Sequence, residues 1–234
     1  MDIYVADVNQ LKNFRTPASD LTFYDEGLKI VNMYRYNKVQ SLKNEDDKIR
    51  SLAAGLLLNY ATRDFFEKEA ETSQGIPSLR KIDVASLIDS YNPEYDYEIE
   101  TIMNGKPVYK DYRNINFSLS HSGEYALCGI GNNPVGVDIE GNRKINFRVS
   151  EKFFSDKEKS WIGKDEDRFF RMWTLKEAYA KLTGEGIAKV ISSIEFIVED
   201  VVKCNQYGGE SKNINIYEYN LKGYRIAALE YMRR

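Results

Sequence analysis

Apolar and polar positions along the chain switch between two periods, and each switch marks an element. Ile49, Leu52, Ala53, Leu56 and Tyr60 recur every three or four residues, the spacing of one helical face. Asn44, with Asp47 three residues later, supplies an N-cap and an acid at its third position. These signals predict a long helix from there to about residue 70. A second long helix is predicted over about 167–183, closed by the stop signal Gly184-Glu185-Gly186. Alternating or short apolar runs predict strands at 2–8, 117–120, 125–130, 135–140, 194–198, 214–219 and 224–229. A short helix is predicted at 82–90, a loop at 91–97 around Asn92-Pro93, and a turn at Asn132-Asn133-Pro134. Ser155 and Glu158 form a capping box opening another short helix. Segments of this kind fit an α+β architecture.

The strand at 135–140 and the helix at 167–183 carry the densest chemistry. Side chains alternate across a strand, so Val135, Val137 and Ile139 share a core face, while Gly136, Asp138 and Glu140 share the other. Two carboxylates beside a glycine leave room for a hard cation with oxygen ligands, such as magnesium. A strand end with two solvated acids has the same pattern. On the helix, Trp173, Lys176, Glu177, Ala180 and Lys181 fall on one stripe. A surface ion pair between Glu177 and Lys181 would contribute only about 0.3–0.5 kcal/mol. Trp173 reads as core, anchoring its helix to a sheet. Lys176 lies about 100° round the helix from Glu177 and reads as a positioning or a solvated lysine.

Composition narrows the partners. The 33 basic and 36 acidic side chains leave a net charge of −3, which argues against a nucleic-acid binder. The 234 residues suffice for one large domain or two small ones. With 17 tyrosines and 11 phenylalanines, an aromatic core is expected. Cys128 and Cys204 are too few for a disulfide framework or a zinc site, and Cys128, in an apolar run, reads as a buried free thiol. No apolar run reaches membrane-spanning length, and Met1-Asp2-Ile3-Tyr4-Val5 lacks the features of a signal peptide. A reduced, cytoplasmic setting without a membrane partner is the expectation.

The strand and helix together resemble the two signature motifs of the 4′-phosphopantetheinyl transferase superfamily. Val135-Gly136-Val137-Asp138-Ile139-Glu140 is similar to its Gly-Val/Ile-Asp-Ile-Glu. Trp173-Thr174-Leu175-Lys176-Glu177-Ala178-Tyr179-Ala180-Lys181 is similar to its Trp-x-x-Lys-Glu-Ala-x-x-Lys. Some three dozen residues separate Glu140 from Glu177, as in the family. Phe117-Ser118-Leu119-Ser120-His121-Ser122-Gly123 resembles a third block, and Asn104-Gly105-Lys106-Pro107 a Gly-Lys-Pro turn that precedes it. The stretch from Arg50 to Leu58 resembles an N-terminal basic helix. Chain length resembles the long, surfactin-synthetase-activating type, not the short trimeric enzymes.

The resemblance implies two similar halves, each a small antiparallel sheet packed on a long helix. The active site would lie between them, with coenzyme A nucleotide contacts in 1–133 and the metal and catalytic motifs in 134–234. It implies a monomer that transfers the phosphopantetheine arm of coenzyme A to a serine of an apo acyl or peptidyl carrier protein and releases 3′,5′-ADP. Asp138, Glu140 and Glu177 would hold Mg2+, with Glu177 a metal ligand, a proton acceptor, or both. Lys181 would contact a diphosphate oxygen. His121 would contact phosphate, aided by Ser120 and by Gly123, which lets backbone approach; phosphate would favour the imidazolium. Arg50 would reach the 3′-phosphate through its guanidinium fork, helped by one or two of Arg35, Lys38 and Lys43. Lys106 and Pro107 would lie along the adenine and pantetheine. Arg143, Lys144 and Arg148 become candidates for contact with an acidic carrier. A coenzyme A-binding module without transfer and a Mg2+-dependent phosphohydrolase remain as alternatives.

Overall fold

The computed structural model describes all residues except 14–20, 69–75, 103–104, 142–144, 146–149, 192, 207–211 and 233–234. In chain order its first elements are β1 (Asp2–Asp7), α1 (Asn9–Asn13), α2 (Phe23–Ile30), α3 (Met33–Ser41), α4 (Glu45–Glu67), β2 (Leu79–Ile82) and α5 (Val84–Asp89). Then come β3 (Ile99–Thr101), β4 (Pro107–Tyr109), β5 (Asn116–Ser122), β6 (Tyr125–Gly131) and β7 (Val135–Gly141). The remainder is α6 (Ser150–Phe153), α7 (Asp156–Ile162), α8 (Glu166–Thr183), α9 (Ile187–Ile191), β8 (Ile194–Val198), β9 (Val202–Gln206), β10 (Ile214–Leu221) and β11 (Tyr224–Tyr231). Among the described residues no helix is long and apolar enough to cross a membrane.

The two long helices begin where their caps predict. The Asn44 side chain accepts the Asp46 and Asp47 amides at 2.8 and 3.2 Å, satisfying donors left free at the start of α4. Asp165 does the same for α8, which ends at Gly184 in the left-handed conformation. The Ser155–Glu158 capping box opens α7. Helix α4 is buried on more than its predicted face, because α2, α3 and α5 pack against it.

Two sheets stack between these helices. One has the order β2-β1-β6-β5, the other β10-β11-β7. Strand alternation sorts the side chains into layers. Tyr4, Ala6, Ala126, Cys128 and Ile130 point toward α4. Ile3, Val5 and Leu127 point the other way, against Val137, Ile139, Ile226 and Ala228 of the second sheet. The opposite face of that sheet, with Ala227 and Leu229, packs on α8. The layers thus run α4, sheet, sheet, α8. The second sheet is antiparallel throughout. The first departs from the antiparallel expectation: β1 pairs with β2 in parallel, reached through the long α4 crossover. The small β3–β4 and β8–β9 ribbons lie beside the two sheets.

Candidate active site

Strand β7 and helix α8 are pressed together, and the glycine between them explains why. A Cβ added to Gly136 would sit 2.1 Å from the Ala178 carbonyl oxygen and 2.4 Å from the Leu182 nitrogen. Gly136 therefore leaves no open room beside the acids, contrary to the sequence reading. It lets the backbone of α8 lie on β7, which brings Glu177 and Lys181 to the face that carries Asp138 and Glu140.

These four side chains line one cavity of about 530 Å³, together with Ser120 and His121 of β5. Tyr34, Arg35 and Lys38 of α3 contribute to its wall, as do Gly105, Lys106 and Pro107. Asp138 is 4% exposed. Its Oδ1 accepts the Ser120 hydroxyl at 2.7 Å and Lys181 Nζ at 2.6 Å, while its Oδ2 is buried without a partner. Lys181 also donates to Ser120 Oγ at 2.8 Å. The ion pair of Lys181 is therefore made with Asp138, across elements, and not with Glu177 one turn away. Ser122 Oγ donates to Glu140 at 3.1 Å and accepts the Gly141 amide at 3.3 Å.

Proton affinities follow from this crowding. Burial, then the negative charges of Asp138 and Glu140, push the Glu177 carboxyl up to about 7, with Lys181 opposing. His121 is exposed, yet the cleft walls and the cations Lys181 and Arg50 hold its imidazole below the usual value. Without a bound anion the imidazole is thus neutral near pH 7. Lys106 is lowered to about 8 by burial, and its ammonium donates to the Leu182 carbonyl at 2.7 Å. It ties the turn before β4 to the end of α8.

Other sequence-derived candidates are placed differently from the expectation. Arg50 is not among the cavity-lining residues; it pairs with Asp47 at 2.5 Å and donates to the Gly123 carbonyl at 3.3 Å. Lys43 is exposed and also outside the lining. Arg35 is 6% exposed and donates to the Ser51 carbonyl and hydroxyl, with its Nε buried and unpartnered. Arg143, Lys144 and Arg148 lie outside the described residues. Gly123 does not leave an open approach either: Tyr224 fills the space beside it. Lys176 is fully buried, paired with Glu158 at 2.9 Å and bonded to the Ile194 carbonyl at 2.6 Å, which excludes the solvated reading. Trp173 packs edge-on against Phe153 and Phe154 and stacks on Phe169, so it ties α8 to α6 and the α6–α7 junction within the core that α8 shares with its sheet. Cys128 and Cys204 are buried and free. Tyr34, Ser122 and Tyr224 were not singled out for the site by sequence reasoning. Ser122 carried a signal, since it alternates with Ser120 on the strand face that meets Asp138 and Glu140.

Among the described residues no three His, Cys, Asp or Glu side chains are gathered into a ready metal site. The chemistry of the set nevertheless suits a hard cation. Three carboxylates share one cavity, one buried oxygen lacks a partner, and Glu177 is raised first by burial and then by its acidic neighbours.

Comparison with known proteins bears on the family. Residues 134–229, which include β7 and α8, match the 4′-phosphopantetheinyl transferase superfamily model. The chain is 37% identical over 174 residues to the 4′-phosphopantetheinyl transferase ffp of Bacillus subtilis, covering 72% of this chain and 67% of that protein. It is 33% identical over 165 residues to the 4′-phosphopantetheinyl transferase HetI of a Nostoc species, covering 64% and 68%. To psf-1 of Bacillus pumilus it is 40% identical over 99 residues, covering 40% and 42%. The chain belongs to the 4′-phosphopantetheinyl transferase superfamily. It spans about half the length of several of the curated relatives it matches.

Proposed function

We propose that this chain moves the 4′-phosphopantetheine arm of coenzyme A onto a serine hydroxyl of an apo acyl or peptidyl carrier protein. The observation that carries this reading is the meeting of Asp138, Glu140, Glu177, Lys181, Ser120 and His121 round one cavity. Asp138, Glu140 and Glu177 would hold Mg2+, which when bound neutralises diphosphate charge. Lys181 is assigned to a diphosphate oxygen as a point charge. Ser120 orients both Lys181 and Asp138 through its hydroxyl. His121 and Lys38 are assigned to the nucleotide phosphates, with Arg50 at the rim, and Lys106 and Pro107 to the wall along the nucleotide.

In the transfer, the serine oxygen forms a bond to the phosphorus that bears the pantetheine, and the bond from that phosphorus to 3′,5′-ADP breaks. The serine proton passes to Glu177, directly or through a water.

We further assign residues 1–133 and 134–234 to two related halves. This is supported by one long helix covering the outer face of each sheet. A monomer is sufficient, since every assigned residue comes from one chain.

The test is incubation with coenzyme A, Mg2+ and a panel of apo carrier proteins. A carrier gaining the phosphopantetheine mass supports transfer. Release of 3′,5′-ADP without modified carrier indicates hydrolysis, and neither product indicates a binding module. Asp138→Ala should lower kcat by about 100-fold or more, as for loss of a transition-state electrostatic contact. A fully active variant would end the metal assignment.

A further inference from the structure

The β5–β6 turn carries Gly123, with φ of +50°, directly after His121 and Ser122. A Cβ at Gly123 would lie 2.1 Å from Tyr224 Oη, and one at Gly141, at the end of β7, 2.7 Å from the same ring. Two glycines on different sheets thus make room for one tyrosine. Tyr224 Oη accepts the Glu124 amide at 3.1 Å, and the ring meets Tyr125 edge-on at 4.9 Å. Tyr224 opens β11 opposite Gly141 in the antiparallel register.

What the ring joins matters to the cleft. On one side is the turn that follows His121 and Ser122 at the end of β5 and whose Gly123 carbonyl accepts from Arg50. On the other is the end of β7, where Ser122 bonds both Glu140 and the Gly141 amide. We infer that Tyr224 is a positioning residue that clamps the His121 turn onto the Glu140 end of β7, setting the spacing between the phosphate-side and metal-side groups of the cleft. This rests on the coenzyme A reading above. Tyr224 itself touches no assigned ligand group; it acts through the turn.

The experiment is calorimetric binding of coenzyme A with Mg2+, without a carrier, alongside the melting temperature. Tyr224→Leu should weaken binding roughly tenfold, the size of a coupled contact between neighbouring groups. Tyr224→Phe, which keeps the ring in the glycine cradle, should stay within about threefold of wild type. In a His121→Ala background the Tyr224→Leu penalty should vanish, since there is no imidazole left to place; a general loss of stability would persist in both backgrounds. Gly141→Ala approaches the same contact from the strand and serves if Tyr224→Leu does not fold. It should weaken binding in wild type but not in the His121→Ala protein. Equal penalties in the two backgrounds, or folded variants that bind as wild type does, overturn the clamp. Wild type that fails to bind coenzyme A overturns the proposed function, and the clamp with it.

Discussion

The Glu177 carboxyl sits among Asp138, Glu140 and Lys181, and the balance of those charges sets its proton affinity. Its folded value of about 7 lies above the usual 4.5. A carboxyl raised in this way favours the folded state while protonated. That contribution is complete below about pH 4.5 and is lost as pH rises through about 7. Glu177→Gln is uncharged throughout, so it avoids the loss. In metal-free buffer its melting temperature, relative to wild type, should rise between pH 5 and pH 8. An identical offset at both pH values would show that the carboxyl is not perturbed. A second residue-scale prediction concerns the 3′-phosphate. Lys38 lines the cavity whereas Arg50 stands outside the lining, paired with Asp47. With coenzyme A and its 3′-dephospho form as substrates, Lys38→Ala should respond less than wild type to loss of that phosphate. Arg50→Ala should respond less only if it swings inward. Strict additivity for Lys38 removes it from the phosphate site.

At the scale of elements, the long helices and the strands around Asp138 were legible because their patterns repeat over many residues. Asn44, Ser155 and Gly184 punctuate them where capping chemistry requires. The short β2, β3, β4 and β9 were not legible. Each is only three to five residues long, and the partner that makes Leu79–Ile82 a strand lies at β1, far away in sequence. Glycines were misread for a related reason. Sequence says that a glycine lacks a side chain, not what occupies the space. At Gly136 the occupant is the α8 backbone, so a methyl group there cannot be absorbed by a rotamer change. Gly136→Ala should force α8 off β7 and destabilise the protein by about 1–3 kcal/mol, the usual cost of overpacking. Coenzyme A binding should fall with it, because the acids of β7 and α8 would separate. Denaturant unfolding checks the first effect and calorimetry the second. Unchanged stability would show that the β7–α8 approach is looser than the geometry states.

For the whole molecule, the decisive feature is the seam between the sheets. Ile3, Val5 and Leu127 bury against Val137, Ile139, Ile226 and Ala228, and each of the valine, leucine and isoleucine side chains contributes about 1.5–3 kcal/mol when fully buried. The cleft crosses the same seam. Ser120 Oγ on β5 bonds Asp138 on β7, and Ser118 Oγ accepts the Val137 amide at 3.1 Å. Sequence motifs named the residues on both sides but could not reveal this pairing, since nothing in either strand encodes which face meets the other. Separating the chain near Pro134 would expose the apolar seam on both pieces and divide Ser120, His121 and Lys38 from Asp138, Glu177 and Lys181. Residues 1–133 and 134–234, expressed separately, should each be inactive and tend to aggregate. Co-expression should restore activity if the seam alone reunites them, because the pieces would rebuild both the apolar contact and the Ser120–Asp138 bond. Assay of each piece, of the mixture and of the intact chain with one apo carrier tests this. Full activity from 134–234 alone would mean that the first sheet contributes nothing essential to the cleft, and the two-half assignment would fall.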